Sequence, residues 1–196
     1  MNEVVLASRN AKKLVELQAL LDPLGLHLWL LSDFCDGAAD ETAPSFIENA
    51  LLKARHAATA AGLPAIADDS GLEVDALHGA PGVHSARFAG VQGNDAANNA
   101  KLLQALQGVP EARRGARFVC ALVYLRHPDD PVPLIAQGVW RGRILTAPRG
   151  SRGFGYDPLF YVADHGKTSA ELAPALKNRI SHRARAAAQL MSALRG

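Results

Sequence analysis

The most constraining feature of this chain is its opening. The apolar run Val4-Val5-Leu6-Ala7 breaks into the polar Ser8-Arg9-Asn10, Leu14, Leu17, Leu20 and Leu21 then recur at helical spacing, and Leu26 to Leu31 is apolar again. A short apolar run bounded by polar residues reads as a buried strand, and the leucine spacing reads as one face of a helix. Pro23 and Gly25 stop that helix. Strand, turn, helix and strand in this order begin an α/β fold.

The rest continues in the same idiom. Ser45-Phe46-Ile47-Glu48 has the pattern of a capping box and opens a long helix that Gly62-Leu63-Pro64 ends. Ala65-Ile66-Ala67 reads as a strand running into a turn at Asp68-Asp69-Ser70-Gly71. Residues 75–93 are irregular, and Asn94 to Gln107 reads as a helix stopped by Gly108 and Pro110. Phe118 to Arg126 and Val132 to Ile144 read as a hairpin turned by Pro128-Asp129-Asp130-Pro131. Thr168-Ser169-Ala170-Glu171 is a second capping box, and Ser181 opens a last helix, basic on one side. With strands of both kinds, the sheet is expected to be mixed.

Composition removes whole classes of protein. Of 196 residues, 48% are hydrophobic and the net charge is only +2, which excludes a disordered chain. No apolar run is long enough for a membrane span, and Met1-Asn2-Glu3-Val4 lacks the basic start of a secretory signal. Cys35 and Cys120 are far apart and in no metal-like spacing, so a reducing cytoplasm is expected rather than a disulfide framework.

Several segments are candidates for chemistry, each with a plainer alternative. Ser8-Arg9-Asn10-Ala11-Lys12-Lys13 places free N–H groups and lysines where a helix begins, a natural anion site. The alternative is an ordinary cap by Ser8 or Asn10 with solvated lysines. Asp68 and Asp69 follow a wholly apolar strand, where paired carboxylates are costly unless a cation neutralises them. Adjacent strand residues point to opposite faces, so one of them is expected at any given site. Carboxylates suit Mg²⁺, which binds one or two of them beside substrate phosphates. Asp40 and Glu41 read as a solvated loop pair unless the fold brings them to Asp69, and Lys53 reads as a surface residue. Gly153-Phe154-Gly155-Tyr156-Asp157-Pro158 reads equally as a loop that presents a ring to a base and as a tight turn pinned by an aromatic. Lys177-Asn178-Arg179-Ile180-Ser181-His182-Arg183 puts cations at a helix start, pointing to an anionic or carbonyl acceptor or to a merely basic face.

The order of these segments is more specific than any of them. Ser-x-Asn-x-x-Lys after the first strand, an acidic loop with Glu41, Phe46-Ile47-Glu48-Asn49-Ala50 with Lys53, Asp68-Asp69-Ser70-Gly71-Leu72, Gly153 to Pro158 and Ser181-His182-Arg183 follow one another. The chain thereby resembles the inosine/xanthosine triphosphate pyrophosphatase family from Val4 to about Leu194. The resemblance implies a single domain, residues 1–196, in two lobes around a long mixed sheet with flanking helices, a central active-site cleft and a homodimer. It implies hydrolysis of deaminated purine nucleoside triphosphates such as ITP, dITP and XTP to the monophosphate and pyrophosphate, with Mg²⁺ as cofactor and without nucleic acid or membrane partners. By resemblance, Ser8, Arg9, Asn10, Ala11, Lys12 and Lys13 hold the triphosphate, with Ser70 and Lys53 in support. Glu41 and Asp69 bind the metal, Asp69 also accepts a proton, and Asp68 assists. Phe154, Gly155, Tyr156, Asp157, Lys177, His182 and Arg183 hold the nucleoside end. Two positions depart from the family pattern: Arg9, often small, and Ala43, commonly glycine.

The chemistry agrees with that assignment. Splitting the α–β anhydride needs positioned water, a base and cations for the charge on the leaving pyrophosphate. No serine or cysteine has an evident paired base in the sequence, so direct attack by water is the simpler route. The rivals are a phosphatase releasing orthophosphate and a nucleic-acid or nucleotide-binding module built on the basic last helix. The acidic Asp68-Asp69 pair argues against the module, because binding phosphate backbones gains nothing from carboxylates.

Overall fold

A computed structural model describes residues 2–196. Among them, seven strands form one mixed sheet in the order β2-β1-β3-β4-β5-β6-β7. The strands are β1 (Asn2–Leu6), β2 (Leu26–Leu30), β3 (Ala65–Val74), β4 (Gly115–Leu125), β5 (Leu134–Ile144), β6 (Phe160–Val162) and β7 (Lys167–Thr168). The helices are α1 (Ala11–Leu21), α2 (Phe46–Ala61), α3 (Asp95–Ala105), α4 (Pro174–Ile180) and α5 (His182–Arg195). Two compact units divide the chain: the first holds Met1–Asp69, Cys120–Gly138 and Ser181–Gly196, the second Ser70–Val119 and Val139–Ile180.

In the first unit the expected opening is realised. β1 runs parallel to β2, Val4 beside Leu28, and parallel to β3, Val5 beside Ala65. Alternation along these strands splits the core into two layers. Val4, Leu6, Ile66, Cys120 and Leu122 face one side, where Leu17 and Leu21 of α1 and Ala186, Ala187 and Leu190 of α5 cover them. Val5, Ala7, Ala65, Ala67 and Ala121 face the other, covered by Ala50, Ala54, Ala57 and Ala58 of α2. The small alanine face lets α2 lie close to the sheet. On the opposite layer Gly138 of β5 has the same effect: a Cβ there would sit 2.0 Å from the His182 carbonyl oxygen and 2.6 Å from the Ala186 nitrogen. Glycine at 138 is therefore what seats the start of α5.

The β4–β5 turn is locked by one carboxylate. Asp130 accepts from the Arg126 backbone N–H at 3.0 Å, from its Nε at 2.8 Å and from the Val132 N–H at 3.0 Å. Arg55 of α2 donates to the carbonyls of Pro128 and Asp130.

The second unit has an aromatic core. Phe118 and Phe160 lie with ring centroids 4.5 Å apart and Trp140 and Phe160 5.1 Å apart, surrounded by Leu72, Leu102, Leu106 and Leu159. β6 pairs antiparallel with β5 and β7, so the sheet is mixed as expected.

Three local expectations change. Asp68-Asp69-Ser70-Gly71 is not a turn: β3 runs without interruption for 10 residues, because the residues after it, Leu72 and Val74, return to the second unit's core. Glu48 does not complete the capping box through the backbone of Ser45 but accepts from its hydroxyl at 2.5 Å, while Ser45 Oγ accepts from the Glu48 N–H at 3.3 Å. Lys177 lies in a separate helix, α4, while Ser181 caps α5 as expected by accepting from the Ala184 N–H.

Candidate active site

Because β3 alternates, its two aspartates belong to different layers. Asp68 shares the parity of Ile66 and faces the layer of α1 and α5. Lys13 of α1 donates to its Oδ1 at 2.9 Å, Arg183 Nε of α5 donates to its Oδ2 at 2.6 Å, and the Cys120 thiol lies 3.5 Å from Oδ2. Glu16, one turn after Lys13, receives Arg183 through a second ion pair. Asp69 shares the parity of Ala65 and Ala67 and faces α2, where Lys53 donates to its Oδ1 at 2.5 Å. The same ammonium reaches Glu41 Oε1 at 2.9 Å and the Asp68 carbonyl at 3.0 Å.

These contacts join Lys13, Lys53 and Arg183 to Glu16, Glu41, Asp68 and Asp69, so carboxylates outnumber cations. Burial pushes the Asp69 carboxyl above its ordinary range, Lys53 opposes that rise, and the Glu41 charge adds to it. Burial works against the Lys53 ammonium, but Asp69 and Glu41 outweigh it and hold its pKa above the usual value. Burial likewise opposes the Arg183 charge, and Asp68, then Glu16, outweigh it. Asp69 is thus a carboxylate of raised basicity beside the Lys53 ammonium.

The loop carrying Glu41 is held from α2. Asn49, fully buried, accepts from the Ala43 N–H at 3.0 Å and donates to the Ala43 carbonyl at 3.1 Å. Ala43 is therefore fixed through its backbone, and the departure from glycine there leaves Glu41 beside Lys53. Arg9 donates to the Asp36 carbonyl at 3.0 Å, which ties the start of α1 to the same loop. Asn10 is the cap of α1, accepting from the N–H groups of Lys12 and Lys13, and Ser8 Oγ accepts from the Asn10 N–H. Arg9, Asn10, Ala11 and Lys12 are exposed, and Ser8 and Ser70 are half-buried.

In the second unit the aromatic loop is built around Asp157. Its Oδ2 accepts from the Phe154 N–H at 3.0 Å and from Lys177 Nζ at 2.7 Å, and its Oδ1 from Ser169 Oγ at 2.7 Å. Gly153, with φ +79°, leaves the space this needs: a Cβ would fall 2.0 Å from Asp157 Oδ2. Lys177 Nζ stands 5.3 Å from the centre of the Phe154 ring. Tyr156 is buried and donates to the Ser85 carbonyl at 2.9 Å, and burial, then the Asp95 charge, raise its phenol above the usual value. Gly155 and Phe154 remain half-buried.

Asp68 and Arg183, both expected at the site, meet each other. Both Asp68 oxygens are engaged, by Lys13 and Arg183, and its side chain is 0% exposed. The Arg183 side chain is 2% exposed and pairs with Asp68 and Glu16. His182 is buried beside it at the start of α5. Glu16, Asn49 and Cys120 were absent from the sequence-derived set. Only Glu16 carried a local signal, its spacing from Lys13 on one helix face.

Among the described residues no group of three or more His, Cys, Asp and Glu side chains converges as a metal cage. Glu41 and Asp69 on one ammonium instead match the mode of Mg²⁺, which takes one or two carboxylates and completes its octahedron with water and phosphate oxygens.

Fold and site together define an α/β protein with a buried cluster of carboxylates and lysines beside the start of α1. The Ham1 family model matches residues 4–193, and the chain belongs to that family. It is 56% identical over 194 residues to the dITP/XTP pyrophosphatase of Pseudomonas aeruginosa, covering 99% of this chain and 98% of that one. The dITP/XTP pyrophosphatase of Vibrio cholerae is 52% identical over 99% of this chain and 97% of its own. A HAM1 protein from Coxiella burnetii superposes with a TM-score of 0.90 at 49% identity, covering 100% of this chain and 99% of its own.

Proposed function

We propose that this chain is a nucleoside triphosphate pyrophosphohydrolase that converts deaminated purine nucleotides such as dITP, ITP and XTP to the monophosphate and pyrophosphate, clearing them before they enter DNA or RNA. The observation that carries this reading is the placement of Asp69, buried and of raised basicity, on the ammonium it shares with Glu41. The likeness to dITP/XTP pyrophosphatases more than half identical supports the substrate class.

Asp69 accepts the proton of the attacking water. Glu41 and Asp69 would hold Mg²⁺, which when bound would supply positive charge at the phosphate oxygens. Lys53, beside both carboxylates, adds a cation next to the triphosphate. Lys13, anchored on Asp68, and the first turn of α1 donate to phosphate oxygens. Asp68, held by Arg183, fixes Lys13 rather than the metal.

The nucleoside end is assigned to Phe154, Asp157 and Lys177, with His182 as a further donor. Hypoxanthine and xanthine offer an acceptor at O6, where adenine offers an amino group that would face a donor. A buried donor left unmet costs about 1–3 kcal/mol, so adenine loses roughly tenfold or more per contact. A homodimer and a cytoplasmic setting complete the reading. No helix among the described residues is long and apolar enough to cross a membrane.

The test is a panel of nucleoside triphosphates with Mg²⁺ and with chelator. Turnover of ITP and XTP well above ATP, abolished by chelation and restored by Mg²⁺, is the expected result. Equal turnover of all purines, or full activity in chelator, overturns the assignment.

A further inference from the structure

The aromatic loop is held on two sides, and only one of them belongs to the motif. From within, Asp157 gathers the Phe154 N–H, Ser169 and Lys177. From outside, α3 supplies two side chains that take both backbone groups of Gly155. Asp95 Oδ2 accepts from the Gly155 N–H at 2.7 Å, and Asn99 Nδ2 donates to the Gly155 carbonyl at 2.8 Å. Asn99 Nδ2 also donates to the Asp95 carbonyl at 2.7 Å, so the two clamping residues are tied to each other one helical turn apart.

We propose that Asp95 and Asn99 are positioning residues for purine recognition, acting through the N–H and C=O of Gly155 to set the pose of Phe154. The inference rests on the reading above that this loop meets the base. Gly155 adopts φ +61°, a conformation open to several alternatives in a free glycine. Without the clamp nothing in the Asp157 network fixes the Gly155 carbonyl, and the segment bearing Phe154 gains freedom next to the ring. A recognition group held loosely loses affinity through ordering cost, and a shift near 1 Å is enough to matter.

α3 also provides its own control. Asn98, beside Asn99, accepts from the Ala89 N–H at 2.7 Å and donates to the Ala86 carbonyl at 3.2 Å, stapling another segment and leaving Gly155 alone. Asn98→Ala removes as much of the helix's capping of neighbouring loops without touching the clamp.

The experiment measures kcat and KM for ITP and ATP in wild type, Asp95→Ala, Asp95→Asn, Asn99→Ala and Asn98→Ala, each checked for folding by circular dichroism. Asp95→Ala and Asn99→Ala are expected to raise KM for ITP by about tenfold with kcat within about twofold, and to narrow the ITP-over-ATP ratio, as loss of one positioning hydrogen bond allows. Asp95→Asn, which keeps an acceptor for the Gly155 N–H, should stay near wild type. Asn98→Ala should lower stability without moving KM or the ratio. Unchanged KM and ratio in folded Asp95→Ala and Asn99→Ala overturns the clamp, as does an equal KM effect in Asp95→Asn or Asn98→Ala. A wild type that turns over ITP and ATP alike overturns the base assignment itself, which separates that failure from this one.

Discussion

Asp68 and Asp69 are neighbours in sequence, yet they lie on opposite faces of β3 and answer to different cations: Asp68 to Lys13 and Arg183, Asp69 to Lys53. The pleat of one strand thus separates a carboxylate that anchors Lys13 from the one proposed to accept the proton of water. Disturbing the two carboxylates, one directly and one through Arg183, should therefore fail in different ways.

Asp69→Asn keeps the shape of the side chain and removes its basicity and its charge for metal. Turnover should fall by about 10²- to 10⁴-fold, more if metal is lost as well, while the thermal transition stays close to wild type. Steady-state kinetics at saturating Mg²⁺ checks this; near-normal turnover would make Asp69 structural.

Arg183→Met should act first on stability. The substitution leaves Asp68 buried beside Lys13 and takes Arg183 away from Glu16. Removing one partner of a buried ion pair typically costs about 3–5 kcal/mol. Urea unfolding should show a lowered midpoint, and adding Asp68→Asn should recover part of it. A variant as stable as wild type would contradict the anchoring role.

Much of this was legible in the residues and some was not. The opening strand–helix–strand was readable because Leu14, Leu17, Leu20 and Leu21 keep one period and Pro23 with Gly25 ends it. The two layers were readable only as a rule, that Asp68 and Asp69 diverge; which cation each meets depends on pairings up to 115 residues apart. The turn expected at Asp68-Asp69-Ser70-Gly71 failed because local composition favours a turn, while Leu72 and Val74 further on are fully buried and keep the chain extended. Glu41 was a loop residue until Asn49 was seen to pin Ala43, a contact no spacing rule announces. Cations at the start of α5 pointed to an anionic or carbonyl acceptor nearby, and Arg183 meets Asp68 and Glu16, but no local spacing tells which anions they are.

The β4–β5 turn makes a pH-dependent contribution. Hydrogen bonds from Arg126, with the Val132 N–H, hold the Asp130 carboxyl well below the usual carboxylate range. A carboxyl with a depressed folded pKa stabilises the fold above its unfolded pKa, about 3.9, and loses that contribution as pH falls toward the folded value. Asp130→Asn should therefore lower the melting temperature most above about pH 5, and the gap to wild type should shrink below about pH 4. Melting curves across that range check the sign; a gap that widens in acid would contradict it.

The central claim is that the Glu41–Asp69–Lys53 cluster directs water to the α–β anhydride of a deaminated purine triphosphate. The most direct measurement is the identity of the first products formed from ITP and Mg²⁺, resolved by anion-exchange chromatography at low conversion. Inosine monophosphate and pyrophosphate in equal amounts, with no orthophosphate, is the predicted result. Inosine diphosphate with orthophosphate would contradict the account.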